Sequence, residues 1–329
     1  MNDEILPIPR IPEGLREAAQ LGKLIPFIGA GVSRIAGCPS WAEFADAALE
    51  QLVERAKLSY AHLEQIRYLT PRIKLSLAGI LQREHKIQLD YRQLLQTTNW
   101  QSNTAGQKLY KNLSRLGKTF ITTNYDEWLD REPDLPSLAT PDEQNSVAVE
   151  AAVQRNSFHN LRDLTIANLN KPNAVFHLHG SVVEPDQMVL TTKDYIRHYA
   201  SDRPREENPV RAFLEHLFEQ KTVLFVGYGL EELEILEYVI SKSQPVSRTD
   251  PSEPRHYLLQ GFFSHELELM RSLRGYYLHE CGIQLLPFRR DEKDWIQLLE
   301  VLAEFARTMP ASEPMVLQKY REMDALLNE

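Results

Sequence analysis

The 329-residue chain carries 46 acidic against 37 basic side chains, a formal net charge of −9 that excludes the broad cationic face direct nucleic-acid binding needs. Its length suits two average domains or one large α/β domain with a helical insertion, and no apolar run is long enough to span a bilayer. Two cysteines, Cys38 and Cys281, exclude a disulfide framework and a four-thiolate zinc site built from this chain alone.

The opening MNDEILPIPR is acidic and proline-bearing rather than basic and then apolar, so a cytoplasmic protein is expected. Residues 13–23 read as a short helix and residues 25–28 as a buried strand that ends in Gly29-Ala30-Gly31-Val32-Ser33. Ser40 with Glu43 three residues on has the spacing of a capping box, which predicts a helix from there to about residue 57. Residues 59–96 carry helical spacing, with Leu75, Leu77, Ile80 and Leu81 as examples, and predict an inserted helical layer whose outer bounds are about 59–115.

Three later apolar runs each deliver a polar signature: residues 119–123 before Asn124, 174–178 before His179, and 222–226 before Gly227. Runs without alternation are expected of strands buried on both faces of a parallel sheet. Residues 132–145, rich in Pro, Asp and Ser, read as a surface loop, and residues 256–259 and 283–286 as two further strands. From Asp291 the pattern is helical, with Trp295, Leu298, Leu299, Leu302 and Phe305 on one face, and a last helix runs to Glu329. The alternation predicts an α/β fold, a Rossmann-like doubly wound parallel sheet with an inserted helical layer. Its domain would span residues 1–290, and residues 291–329 would form a helical extension able to serve as an assembly surface.

In open parallel sheets ligands bind beyond the carboxyl ends of the strands, and Gly29, Asn124, His179 and Gly227 all stand where strands finish. Gly29-Ala30-Gly31 lets the backbone approach a pyrophosphate, but Arg34 stands where a dehydrogenase fingerprint has its third glycine, which disfavours an oxidoreductase. Asn124 can both donate to and accept from a ribose hydroxyl or a water, and Asp126 follows two residues later. His179 is the expected general base, since imidazole exchanges a proton near neutral pH. His177 beside it suggests a metal, yet no matching acidic or thiolate set is visible, so no metal is expected. Gly227-Tyr228-Gly229 offers a second close backbone approach, and Glu231 and Glu232 after it are either ribose acceptors or first-turn helix charges.

The segments GAGVSRIAGCPSW, TTNYD, HLHGS and VGYGLEE, in this order, resemble the sirtuin superfamily over about residues 23–288, and most of all the SIR2-like branch of bacterial anti-phage defence proteins. The resemblance implies that Gly29, Ala30, Gly31 and Ser33 contact NAD and that Asn124 serves the nicotinamide ribose or its attacking water. It further implies that Asp126 orients the carboxamide, that His179 is the base, and that Gly227 and Gly229 line the adenosine side. Sirtuin deacylases carry four zinc-binding cysteines, a Gln where this chain has Thr123, and an Asp-Phe-Arg run where it has Ser40-Trp41-Ala42. The Pro-Ser-Trp segment, the stretch from Thr191 to Tyr195 and the helical layer are closer to the defence branch. The implied activity is an NAD+ hydrolase giving nicotinamide and ADP-ribose, with NAD as substrate and no zinc. By analogy it is a regulated effector that depletes cellular NAD, a homo-oligomer switched by a separate sensor such as an ATPase, an Argonaute or a phage protein. The alternatives are a non-hydrolytic module binding NAD or ADP-ribose, and an NAD-dependent protein deacylase.

Overall fold

Seven short runs pair into one wholly parallel sheet: β1 Leu24–Ile28, β2 Thr119–Thr122, β3 Asn156–Phe158, β4 Ala174–His177, β5 Thr222–Val226, β6 His256–Phe262 and β7 Ile283–Arg289. The computed structural model describes residues 4–96, 103–131, 155–171, 173–199, 208–228 and 256–311. The strand order is β3-β4-β2-β1-β5-β6-β7. The chain leaves β1 toward β2 on one side and leaves β5 toward β6 on the other, so the order reverses between β1 and β5. In open α/β sheets such a reversal is the switch point beside which ligands bind.

Alternate residues of each strand enter different cores, because successive side chains point to opposite faces. Phe27, Ile121, Phe176, Phe225 and Leu258 face α10 (Pro209–Gln220) and α11 (Leu267–Cys281), whose Phe213, Leu217, Met270 and Tyr277 complete that layer. Ile28, Phe120, Val175, Leu224 and Leu259 face the other way, onto α1 (Glu13–Gln20), α2 (Ala30–Ile35), α7 (Thr104–Leu116) and α12 (Gln297–Thr308). A third cluster lies with α3 (Trp41–Glu54), α4 (Tyr60–Ile66), α5 (Pro71–His85) and α6 (Tyr91–Leu95), and it takes in Tyr125, Val182, Met188 and Leu190 from the segments that follow β2 and β4. These helices therefore pack on the loops at the ligand-binding edge.

The capping box at Ser40 is present: its hydroxyl accepts from the Glu43 N–H at 3.2 Å while Glu43 accepts from the Ser40 N–H at 2.6 Å. Several expectations are revised. β3 is an additional edge strand. β6 and β7 each extend through seven residues, longer than their apolar starts predict. α7 joins α12 under the sheet rather than α3–α6 above it. Helix α12 starts at Gln297, after a 3-10 turn at Asp294–Ile296, which leaves Trp295 43% exposed and off the buried face. The predicted loop at 132–145, Gly229, Glu231, Glu232 and the last helix beyond residue 311 lie outside the described residues.

Candidate functional site

The glycine turn after β1 and the glycine turn after β5 are packed backbone to backbone. Gly29 N–H donates to Val226 O at 2.9 Å and Gly31 N–H to Gly227 O at 2.8 Å. A Cβ on Gly29 would meet Gly227 O at 2.6 Å, and one on Gly227, whose φ is +64°, would meet Val32 N at 2.6 Å. Both residues are glycine because the turns interlock, a requirement that exists before any ligand arrives. Two of the amides that the sequence suggests for a phosphate are thus used within the protein. Ala30, at the first position of α2, is exposed.

Asn124 follows β2 and is tied to the end of β1. The Thr122 hydroxyl donates to Ile28 O at 2.9 Å and accepts the Asn124 N–H at 3.0 Å, and Asn124 Nδ2 donates to Gly29 O at 2.9 Å. The side chain is 7% exposed, and its Oδ1 has no hydrogen-bond partner among the described residues. A held amide with its acceptor unspent suits a ribose hydroxyl or a water. Thr122 is a contributor that sequence reasoning missed, although it stands at the head of the TTNYD run.

Asp126 is buried with three donors around it: Ser33 Oγ at 2.5 Å, Tyr110 Oη at 3.3 Å and Trp128 N–H at 3.2 Å. Burial raises its carboxyl above the ordinary range, with the Ser33 and Trp128 hydrogen bonds pulling in the other direction. Ser33 thus links the first motif to the second, 93 residues away. Beside them, burial and then the charge of Asp126 push the Cys38 thiol far above its usual value.

His179 leaves β4 as Asn124 leaves β2. Thr122 and His177, the last residues of β2 and β4, are paired in register, and Asn124 and His179 each follow two residues later. His179 is 3% exposed, and its Nε2 lies 2.7 Å from the hydroxyl of Tyr199 on α9 (Thr192–Tyr199). Tyr125, Tyr195 and His198 are its other ring neighbours, and Arg72 lies over the Tyr195 ring at 4.0 Å. Burial, then the charges of His198 and Arg72, hold the imidazole well below the ordinary histidine range, so it is neutral at neutral pH. That is the form able to take a proton. The Tyr199 contact has a weak sequence signal, Tyr195 and Tyr199 falling on one face of a short helix.

His177 has different company. Its Nδ1 lies 3.1 Å from Asn124 O and its Nε2 2.8 Å from Asp130 Oδ1. Burial alone would depress its pKa, but Asp130, by charge and hydrogen bond, outweighs that and leaves it raised. The pair therefore supports the peptide carbonyl of Asn124 from behind.

A model of the SIR2-like domain family matches residues 118–286. The chain is similar to the NAD(+) hydrolase ThsA of Bacillus cereus (strain MSX-D12), 26% identical over 236 residues, covering 71% of this chain and 42% of that protein. It is also similar to Defense-associated sirtuin 2 of Bacillus subtilis, 25% identical over 258 residues, covering 72% of this chain and 22% of that protein. The chain thus spans less than half the length of either relative. No helix among the described residues is long and apolar enough to cross a membrane. With the family model covering just over half of its residues, on a seven-stranded parallel Rossmann-like sheet, the chain belongs to the SIR2-like domain family.

Proposed function

We propose that the protein is an NAD+ hydrolase that cleaves the bond between nicotinamide and ribose, releasing nicotinamide and ADP-ribose. The observation that supports this reading is the parallel pairing of β2 and β4, with Thr122 beside His177 and with Asn124 and His179 each two residues beyond that pair. Nicotinamide leaves as a neutral base from a pyridinium already cationic, so the reaction needs no strong general acid. It needs a held ribose, stabilisation of an oxocarbenium-like sugar, and a base for water. Asn124 holds the ribose and the water through its amide, and neutral His179 accepts the proton the water gives up as its oxygen bonds to the anomeric carbon. Ala30, Gly31 and Ser33 border the phosphate and nicotinamide side, Asp126 orients the carboxamide, and Gly227 and Gly229 line the adenosine side. The segment from Ser33 to Trp41 closes over nicotinamide and excludes bulk water.

Similarity to a named NAD(+) hydrolase and a named defence sirtuin supports this reading. In the same proposal the role is anti-phage defence by NAD depletion, in a regulated homo-oligomer with a separate sensor. A second reading, a module that binds NAD or ADP-ribose without turnover, is favoured by one observation, the hydroxyl of Tyr199 on His179 Nε2. Incubating the full chain with NAD and separating the products decides between them. Nicotinamide with ADP-ribose in equal amounts supports hydrolysis. NAD bound but recovered intact supports the module, and acyl-ADP-ribose formed with an acyl-peptide would mark a deacylase.

A further inference from the structure

The sequence sets His177 two residues from His179 as a potential metal pair, but the fold gives His177 other neighbours, Asp130 and His159. One potential ligand atom from each of Asp130, His159 and His177 lies within 4.8 Å of the others. Asp130 and His177 are buried at 5% and 1% exposure. His159 is half-buried, and its Nδ1 is enclosed without a hydrogen-bond partner.

Both ring nitrogens of His177 face oxygen acceptors, Asn124 O at 3.1 Å and Asp130 Oδ1 at 2.8 Å. A neutral imidazole has one N–H. If Nδ1–H serves the Asn124 carbonyl, the lone pair of Nε2 meets a carboxylate, and a positive charge must sit between them. A second proton on His177 meets that need but does nothing for the orphan nitrogen of His159. A metal cation satisfies all three groups at once.

We infer that Asp130, His159 and His177 form a binding site for a first-row divalent transition metal, with zinc the best fit. Two imidazoles and one carboxylate are a borderline-soft ligand set of the kind zinc takes. Ligands at zinc distances in a tetrahedron stand about 3.3 Å apart. The 2.8 Å separation and the 4.8 Å span bracket that value. Turning the half-buried His159 ring inward closes the set. The bond between His177 Nδ1–H and the Asn124 carbonyl is the outer contact metal-bound histidines make, fixing the tautomer and the ring orientation. His159 also borders a pocket of about 60 Å³ lined by Asp186 and His198. The site joins the segments that follow β2 and β3 to the last residue of β4, and it steadies the peptide of Asn124 from behind. It is distinct from the four-cysteine zinc module, which two cysteines cannot build, and it stands whether or not the chain cleaves NAD.

The test is calorimetric titration of the chelator-stripped full chain with zinc chloride, for wild type, His159→Ala and His198→Asn. His159→Ala leaves the Asp130–His177 pair intact, and unchanged far-ultraviolet dichroism checks its fold. The expected result is one zinc per wild-type chain, affinity at least about tenfold weaker in His159→Ala, and no change in His198→Asn. Zinc should also raise the melting temperature of the wild type more than that of His159→Ala. Folded wild type that takes up no zinc overturns the proposal. So does His159→Ala binding zinc with wild-type affinity and stoichiometry, or His198→Asn losing it, which would move the ion into the neighbouring pocket.

Discussion

Asn124 Nδ2 donates to the carbonyl of Gly29 at 2.9 Å, a buried hydrogen bond that fastens the end of β2 to the end of β1. The residue proposed to act on NAD is thus also a fastening of the sheet edge. Removing it leaves the Gly29 carbonyl with the Val32 N–H at 3.1 Å as its remaining donor, at a cost of about 0.5–1.5 kcal/mol. Asn124→Ala is expected to lose that much in urea melts. Asn124→Asp should lose more, because it sets a buried carboxylate against a carbonyl. Aspartate proving the milder change would contradict the contact.

Asp126 carries the opposite balance. Its carboxyl is raised by burial, so the folded chain binds its proton more tightly than the unfolded chain does. The stability this group contributes is complete below the unfolded carboxyl pKa and is lost as pH rises through the raised folded value. Where the group is ionised, its buried charge is a burden the fold carries. Asp126→Asn keeps an acceptor for Tyr110 and Trp128 and gains a donor toward the Ser33 oxygen. It is expected to melt higher than the wild type at pH 7, with the gap narrowing in acid, while losing activity. A lower melting point at both pH values would refute the assignment.

Gly227 tests the interlocked turns. Its φ is +64°, and a Cβ there would come within 2.6 Å of Val32 N, which leaves no room for a side chain. Backbone strain and overpacking together predict that Gly227→Ala costs about 2–4 kcal/mol. Equilibrium unfolding measures this, and a loss of a few tenths would mean the turns do not lock.

Cys38 reports the electrostatics beside Asp126. With its thiol pushed far above the ordinary range, the thiolate that reacts with iodoacetamide is scarce in the folded chain. Native Cys38 should react at least about 100-fold more slowly than in urea at pH 8. Equal rates, followed by peptide mass, would rule out the raised thiol pKa of half-buried Cys38.

The strands that carry the site were legible because buried parallel strands are continuous apolar runs, and β1, β2, β4 and β5 each end in a signature. Asn124 and His179 could be placed on one edge from that alone. β3 was not legible: Asn156-Ser157-Phe158 is a three-residue edge strand with no apolar run to mark it. The glycines were read as openings for a phosphate, whereas the contacts present are between the two turns, since a pattern cannot tell a missing side chain left for a ligand from one left for the backbone. Asp130 is 47 residues from His177 in sequence, and only the parallel crossover makes them neighbours. The pairings Ser33–Asp126 and His179–Tyr199 are of the same kind, set by tertiary packing rather than by local spacing.

Whether Asn124 and His179 act on one sugar carbon is measured most directly by the nicotinamide released from NAD by the folded full chain and its single variants at equal concentration. Asn124→Ala and His179→Ala should each release it at least about 100-fold more slowly than the wild type. Release by either variant at the wild-type rate would contradict the claim.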